Sequence, residues 1–350
     1  MSLQQLLGTE LPLIQAPMAG VQGSALALAV CGAGALGSLP CAMLDAASLQ
    51  REVAALAAGT SRPWNLNFFC HTLPAPDAAR DAAWRALLAP YCREIGLALP
   101  AAASGPTRKP FDADTAALLD AMRPRVLSFH FGLPPPGLLA HVKSWGAVVM
   151  SSATTVPEAQ WLAAHGADVV IAQGLEAGGH RGLFLDSDLS TQMGTLALLP
   201  QVVRAVHCPV VAAGGIADAA GVAAAMALGA AGVQVGTAYL LCPECSTSAP
   251  HRAALQGAGA QHTALTTLFS GRPARGIVNR LMRELGALNP AAPAFPLATA
   301  AVAPLRAAAE KAGSGDFSPL WCGQNASGCR AVPAAQITRA LAAGLRAANA

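Results

Sequence analysis

The sequence predicts a (β/α)8 TIM barrel, and three observations carry that reading. Eight short apolar runs recur along the chain, most of them separated by stretches of helical composition. Runs of this kind fit parallel strands buried on both faces, which lack the polar alternation of a one-sided sheet. Several runs end in glycine-rich turns, where a barrel carries its chemistry. A chain of 350 residues has room for one such barrel and an insertion.

Residues 11–16 read as the first strand and lead into Pro17-Met18-Ala19-Gly20; residues 24–31 read as a helix rich in Ala and Leu. Residues 34–39 are the second strand. Gly32 and Gly34 precede a strand rather than open a helix, so they do not make a dinucleotide-binding turn. A helix at 46–58 leads to the third strand, 65–69, whose end lies at the expected barrel mouth. Residues 72–108 form a proline-containing connection with a helix at 80–88, and 112–122 is helical. The fourth strand is 126–131, and Pro134-Pro135-Pro136 starts the next helix, where proline suits a first turn.

The fifth strand is 147–151. The helix 156–165 after it ends at Gly166, a fitting C-terminal cap. Strand six spans 168–172, strand seven 209–213 and strand eight 232–235, with a helix at 219–228 ending before Gly229. Beyond strand eight, 242–313 reads as helices, and 333–349 reads as the eighth barrel helix. The expected division is a barrel from 1–240 and 320–350, with 241–319 a mainly helical insertion folded over the mouth as a lid.

Composition narrows the function classes. The chain is 53% hydrophobic and 12% charged, which suits a large core and argues against disorder. A net charge of +3 without any basic run argues against nucleic-acid binding. Residues 11–44 carry no charge, but Pro12, Pro17, Gly20, Gly23 and Pro40 interrupt them, so no membrane span is expected. No Lys or Arg precedes Arg51, so a signal peptide is not expected and the cytoplasm is the expected location. A homo-oligomer is compatible with the sequence but not specified by it. The nine cysteines follow no disulfide framework. Cys242 and Cys245 have CxxC spacing, but only the distant Cys322 and Cys329 could complete a zinc site, and no metal is expected.

The strongest chemical signal is a pair of loops. Ala213-Gly214-Gly215-Ile216 follows strand seven, and Gln234-Val235-Gly236-Thr237 closes strand eight. In a barrel those two loops commonly hold a phosphate, because glycine lets backbone N–H groups approach an anion. His180 follows strand six on a loop with Gly178, Gly179 and Gly182, a position suited to proton transfer. Glu176 on the same loop reads as structural. His130, ending strand four, is a candidate substrate contact, and His71 a weaker one. No GxSxG elbow, HExxH, P-loop or EF-hand spacing occurs.

Together the segments Gln15-Ala16-Pro17-Met18-Ala19-Gly20, Asn65-Leu66-Asn67, Ala172-Gln173-Gly174-Leu175-Glu176-Ala177-Gly178-Gly179-His180-Arg181-Gly182, Ala213-Gly214-Gly215-Ile216 and Gln234-Val235-Gly236-Thr237 resemble the nitronate monooxygenase family. The resemblance spans nearly the whole chain and implies a TIM barrel with a lid, binding FMN non-covalently. It implies that Pro17, Met18 and Ala19 pack under the flavin ring and that Asn67 and Gln173 bond its polar edge. Gly178, Gly215, Gly236 and Thr237 would hold the phosphate end, with Gln234 beside them. His180 matches the family's catalytic base. Leu320-Trp321-Cys322-Gly323-Gln324 looks like a family segment that returns to the flavin, making Trp321 and Gln324 candidate substrate contacts. The implied reaction takes a nitronate and dioxygen to a carbonyl compound and nitrite. FMN-dependent enoyl-acyl-carrier-protein reductases using NAD(P)H share the barrel and the Gly-Gly-His loop, and often carry glutamate where this chain has Gln173.

Overall fold

The computed structural model of the chain describes residues 1–98 and 108–347. The barrel strands are β1 (Leu13–Gln15), β2 (Gly37–Pro40), β3 (Trp64–Phe69), β4 (Val126–His130), β5 (Val148–Ala153) and β6 (Val169–Gln173). After a two-residue strand β7 (Gly179–His180), which pairs elsewhere, come β8 (Val210–Ala213) and β9 (Gly232–Val235). The hydrogen-bonded order is β1-β9-β8-β6-β5-β4-β3-β2, all pairs parallel. The two ends meet at the parallel bridge Ile14↔Leu36, where Leu36 N–H donates to Leu13 O and Gln15 N–H to Leu36 O, each at 2.9 Å. The sheet therefore closes into the expected (β/α)8 barrel.

Period-two alternation sorts the strand residues. Ile14, Leu36, Val126, Met150, Val169, Ile171 and Val211 fill the barrel interior. Leu13, Val170, Val210, Ala212 and Val233 point outward into a second core shared with the surrounding helices. The base is closed by a helix that sequence reading omitted, Leu3–Leu7, whose Leu3 and Leu7 enter the interior core. Ser2 and Gln5 form a capping box there, which lets so short a helix start. Nearer the mouth the interior is polar: Asn65 Nδ2 donates to Ser38 Oγ (3.0 Å) and Ser128 Oγ (2.8 Å), and Gln15 Oε1 accepts Ser38 N–H (3.0 Å).

Outer helices begin on side-chain caps: Asp45, Asp112, Thr155 and Asp218 each accept a first-turn N–H. The helix Thr195–Ala205 after β7 was not expected, because Pro200 interrupts its apolar pattern. The helix after β3 runs Ala78–Glu94, longer than read. Of the connection 72–108, residues 99–107 lie outside the described residues, as do 348–349 of the expected final helix. That helix, Ala334–Ala347, packs against Ser24–Gly32 and Ala219–Ala227, the place of an eighth barrel helix.

The residues after β9 are not only helical. Alongside Ala249–Gln256, Arg280–Leu285 and Ala298–Lys311 they contribute β10 (Thr263–Thr266) and β11 (Ala274–Ile277). These join β7 in a small antiparallel sheet in the order β10-β11-β7. A further core joins Trp84, Leu88 and Tyr91 from the helix after β3 to Leu268, Phe269, Leu281, Leu305 and Phe317. No helix among the described residues is long and apolar enough to cross a membrane.

Candidate active site

The loop after β6 is fixed residue by residue. Gly174 cannot carry a side chain, since an ideal Cβ there would lie 1.9 Å from Thr195 Oγ1. Glu176 then takes the structural role expected of it. Its carboxylate accepts Thr195 N–H (2.9 Å) and Thr195 O–H (2.9 Å), capping a helix whose own N-cap, Gly194, has no side chain to do so. Gly179, at φ +71, turns the chain into β7, where Ala274↔His180 and Arg275↔Gly179 pair with β11. The histidine of the loop is thus carried on a strand edge.

Hydrogen bonds converge on it. The His180 carbonyl accepts from Gln173 Nε2 (3.0 Å) and His130 Nε2 (3.2 Å). Gln173 Oε1 accepts Gly182 N–H (2.8 Å), so its amide bridges both sides of the histidine. Fully buried Arg181 donates to the carbonyls of Gln173 (2.8 Å) and Gly174 (2.7 Å) and to Gln192 Oε1 (2.9 Å). On the ring itself, Nε2 lies 2.8 Å from Ser270 Oγ in the turn between β10 and β11. Phe295, Trp321, Phe131 and Phe69 surround it, with ring centroids 5.3, 5.6, 6.0 and 6.2 Å away. Phe131 is held at φ +70, a strained backbone for a bulky residue, and its ring lies 4.0 Å from the Arg272 guanidinium carbon.

His180 edges an open cavity. The cavity also brings together Pro17, Met18, Ala19, Asn67, His130, Gln173, Gly178, Gly215, Gln234, Gly236, Thr237 and Trp321. Gln324 is not among them: its side chain is exposed, and only its backbone N–H reaches inward, to Glu176 O at 2.9 Å. The residue before it, Gly323, lines the cavity instead, and its N–H donates to Thr237 Oγ1 (3.0 Å). His130 has both ring nitrogens committed to protein, Nδ1 to Ser152 Oγ (3.1 Å) and Nε2 to the His180 carbonyl. His71 is buried against Phe295 and Phe131. Sequence reading missed Arg108, His251, Ser270 and Asn325, which reach the site from distant segments with no local motif.

Two features suit a phosphate-bearing, hydrogen-bonding cofactor. Gln234 Oε1 is buried on the cavity wall with no partner among the described residues, an uncompensated acceptor that a ligand donor would satisfy. Gly214 and Gly215, at φ +114 and +73, shape a bare backbone loop beside Gly236 and Thr237. Among the described residues no cluster of three or more His, Cys, Asp or Glu stands close enough to hold a metal ion.

Burial dominates the electrostatics. It lowers the His180 imidazole well below its ordinary value, and the Arg108 charge adds to the effect. It pushes His130 down to about 3, and His71 and His251 down to about 4. All four rings are neutral at pH 7. The unfolded chain takes up these protons near pH 6.5, while the folded chain resists them. Stability is therefore full above pH 6.5 and falls as pH drops from 6.5 towards 4, by up to roughly 1.4 kcal/mol per pH unit for each histidine. Urea midpoints measured from pH 7.5 down to 4.5 are expected to decline steadily below 6.5; a flat series would mean that the histidines are not buried as described.

With this geometry in view, comparison with known proteins is decisive. The family model described as nitronate monooxygenase matches residues 1–344. The chain belongs to the nitronate monooxygenase family. A relative from Pseudomonas aeruginosa named nitronate monooxygenase is 43% identical over 347 residues, 98% of this chain and 98% of that protein. A solved structure described as a nitroalkane oxidase from Streptomyces ansochromogenes superposes with a TM-score of 0.91 at 40% identity, over 100% of this chain and 99% of that one. A FabK structure from Thermotoga maritima is more distant, with a TM-score of 0.74 at 26% identity, over 100% of this chain and 96% of that one. Like its relatives in the nitronate monooxygenase family, the chain is an enzyme, and the cavity around His180 is its candidate active site.

Proposed function

We propose that the chain is an FMN-dependent nitronate monooxygenase, converting alkyl nitronates or propionate 3-nitronate with dioxygen into a carbonyl compound and nitrite. The observation that carries the proposal is a neutral, buried His180 edging a cavity whose wall, among the described residues, holds no carboxylate and leaves the Gln234 oxygen without a partner.

FMN would be held by Pro17, Met18, Ala19, Asn67 and Gln173 at the ring and by Gly178, Gly215, Gly236 and Thr237 at the phosphate, with Gln234 offering its free acceptor. Bound there, FMN supplies the electron acceptor and the reactivity towards dioxygen. The protein supplies the rest. Asn67 spends its N–H groups on Ser128 Oγ (2.9 Å) and Ser128 O (3.3 Å), which leaves its side-chain carbonyl to the cavity. Ser270 Oγ lies 2.8 Å from Nε2 of His180, which leaves Nδ1 as the ring nitrogen for the substrate. His180 takes the proton from the carbon bearing the nitro group when the substrate arrives neutral; a nitronate arrives already deprotonated. Phe69 and Trp321 on the wall restrict water around that proton.

Gln173 favours this reading over an enoyl-thioester reductase. Its N–H donates to the His180 carbonyl, a bond that a glutamate carboxylate at this position cannot make. The test is direct. Purified protein is expected to be yellow and to release nitrite from ethyl nitronate or propionate 3-nitronate under air. Flavin-loaded protein that releases no nitrite from either, while NADH or NADPH bleaches it rapidly without oxygen, would support the reductase instead.

A further inference from the structure

We propose that Arg108 is a specificity-determining residue of this site: its guanidinium receives a second anionic group on the substrate, so that the enzyme selects nitronates carrying a carboxylate. The inference rests on the nitronate reading above and names the residue that would discriminate among such substrates.

Arg108 is 8% exposed, and it lines the cavity. It is the one Lys or Arg on a wall that holds no Asp or Glu among the described residues. No carboxylate among those residues stands within 4.0 Å of it, and the charge acting on it is another cation, Arg306. A buried guanidinium is ordinarily paired, because its desolvation must be offset. Here the described partners are neutral: Arg108 Nη1 donates to Thr299 Oγ1 (2.7 Å), and the guanidinium carbon lies 5.7 Å from the Phe295 ring centroid. Five N–H donors in a planar fork match a carboxylate two at a time, and one such bond to Thr299 leaves that capacity largely unspent.

Position separates this charge from the cofactor's phosphate. Phe111 N–H donates to Phe69 O (2.8 Å) and Pro110 bridges Phe69, which stations Arg108 above the end of β3. The glycine loops suited to phosphate follow β8 and β9. In the closed order, β3 and β8 are four strands apart in an eight-stranded cylinder, on opposite sides of the mouth. Arg108 instead adjoins the proton-transfer corner: Phe295, the ring it faces, lies 5.3 Å from His180. A substrate whose nitronate carbon sits at His180 can therefore extend a short chain past Phe295 and end in a carboxylate at Arg108.

The test compares propionate 3-nitronate with propyl 1-nitronate, which has the same carbon count but no carboxylate, using flavin-loaded wild type, R108M and R108K. Wild type is expected to show the lower KM for propionate 3-nitronate. In R108M the ratio of kcat/KM values, carboxylated over plain, is expected to fall about 10- to 100-fold, chiefly through KM, with partial recovery in R108K. A wild-type KM no lower for the carboxylated substrate, or a ratio unchanged in R108M because both substrates lose equally, would overturn the assignment. Should R108M fail to fold, R108K and the wild-type comparison decide. Succinate, an unreactive dicarboxylate, supplies a readout independent of turnover: it is expected to perturb the flavin absorption of wild type far more strongly than that of R108M. If wild type turns over no nitronate, the proposed function fails, and the succinate titration alone decides Arg108: equal or absent perturbation in both proteins overturns it.

Discussion

Replacing His180 with asparagine is expected to lower turnover of neutral nitroethane by about 10²- to 10⁴-fold while FMN stays bound. The size follows from what the imidazole does in this setting. Burial keeps the imidazole neutral, so its ring is unprotonated when substrate arrives, and Ser270 orients it through a 2.8 Å bond. Asparagine keeps a polar side chain near Ser270 but has no basic nitrogen. Ethyl nitronate needs no base, so its turnover is expected to fall much less. The check is nitrite release from both substrates with flavin content measured in parallel. Unchanged nitroethane turnover, or equal losses on both substrates, would remove His180 from the role of base. The backbone of the loop should survive the change, because Gln173 and His130 hold the carbonyl of residue 180, not its ring.

The second large effect is expected at Gly178. A Cβ there would stand 2.6 Å from Gly323 N and 2.7 Å from Cys322 C, both backbone atoms that cannot swing aside. Gly178→Ala must therefore push the loop after β6 away from the segment carrying Trp321 and Gly323, opening the cavity between them. Overpacking of this kind costs roughly 1–3 kcal/mol, equivalent to a rise of about 5- to 150-fold in the Kd for FMN if the strain falls on the binding conformation. Gly137→Ala is the control: nothing lies within 4 Å of a Cβ there, and the residue is helical, so affinity should not move. Fluorescence titration of cofactor-free protein with FMN measures both. An unchanged Kd in Gly178→Ala would mean that this loop does not shape the cofactor site.

Much of this molecule could be read from sequence for one physical reason. Strands buried on both faces, such as Val169–Gln173, appear as unbroken apolar runs, and the glycines that follow them mark the turns of the mouth. The elements that escaped depend on partners far away in the chain. β7 is two residues long and exists because β11, some ninety positions later, pairs with it. β10 and β11, four residues each, carry no alternation long enough to separate them from the helices around them. Thr195–Ala205 was hidden by Pro200 and by a helix start whose cap is supplied by Glu176 rather than by its own N-cap residue.

The site divides the same way. His180, Gln234 and the loop glycines announce themselves locally. Arg108 and Ser270 matter through what they face, and a single sequence does not carry that information. Gln173 was legible as the polar end of a strand. That its amide braces the His180 loop on both sides required the fold. Gln324 shows the converse: a short matching segment suggested it for the site, yet its side chain is exposed and does not line the cavity.

The central claim is that a neutral, buried His180 removes the substrate's proton. The most direct test compares nitroethane with nitroethane deuterated at the carbon bearing the nitro group, using wild-type enzyme and measuring nitrite release under air. A large normal isotope effect on kcat/KM is expected, with none of comparable size when preformed ethyl nitronate is supplied. No isotope effect, with a rate that simply follows the small fraction of nitronate already present in solution, would contradict the claim.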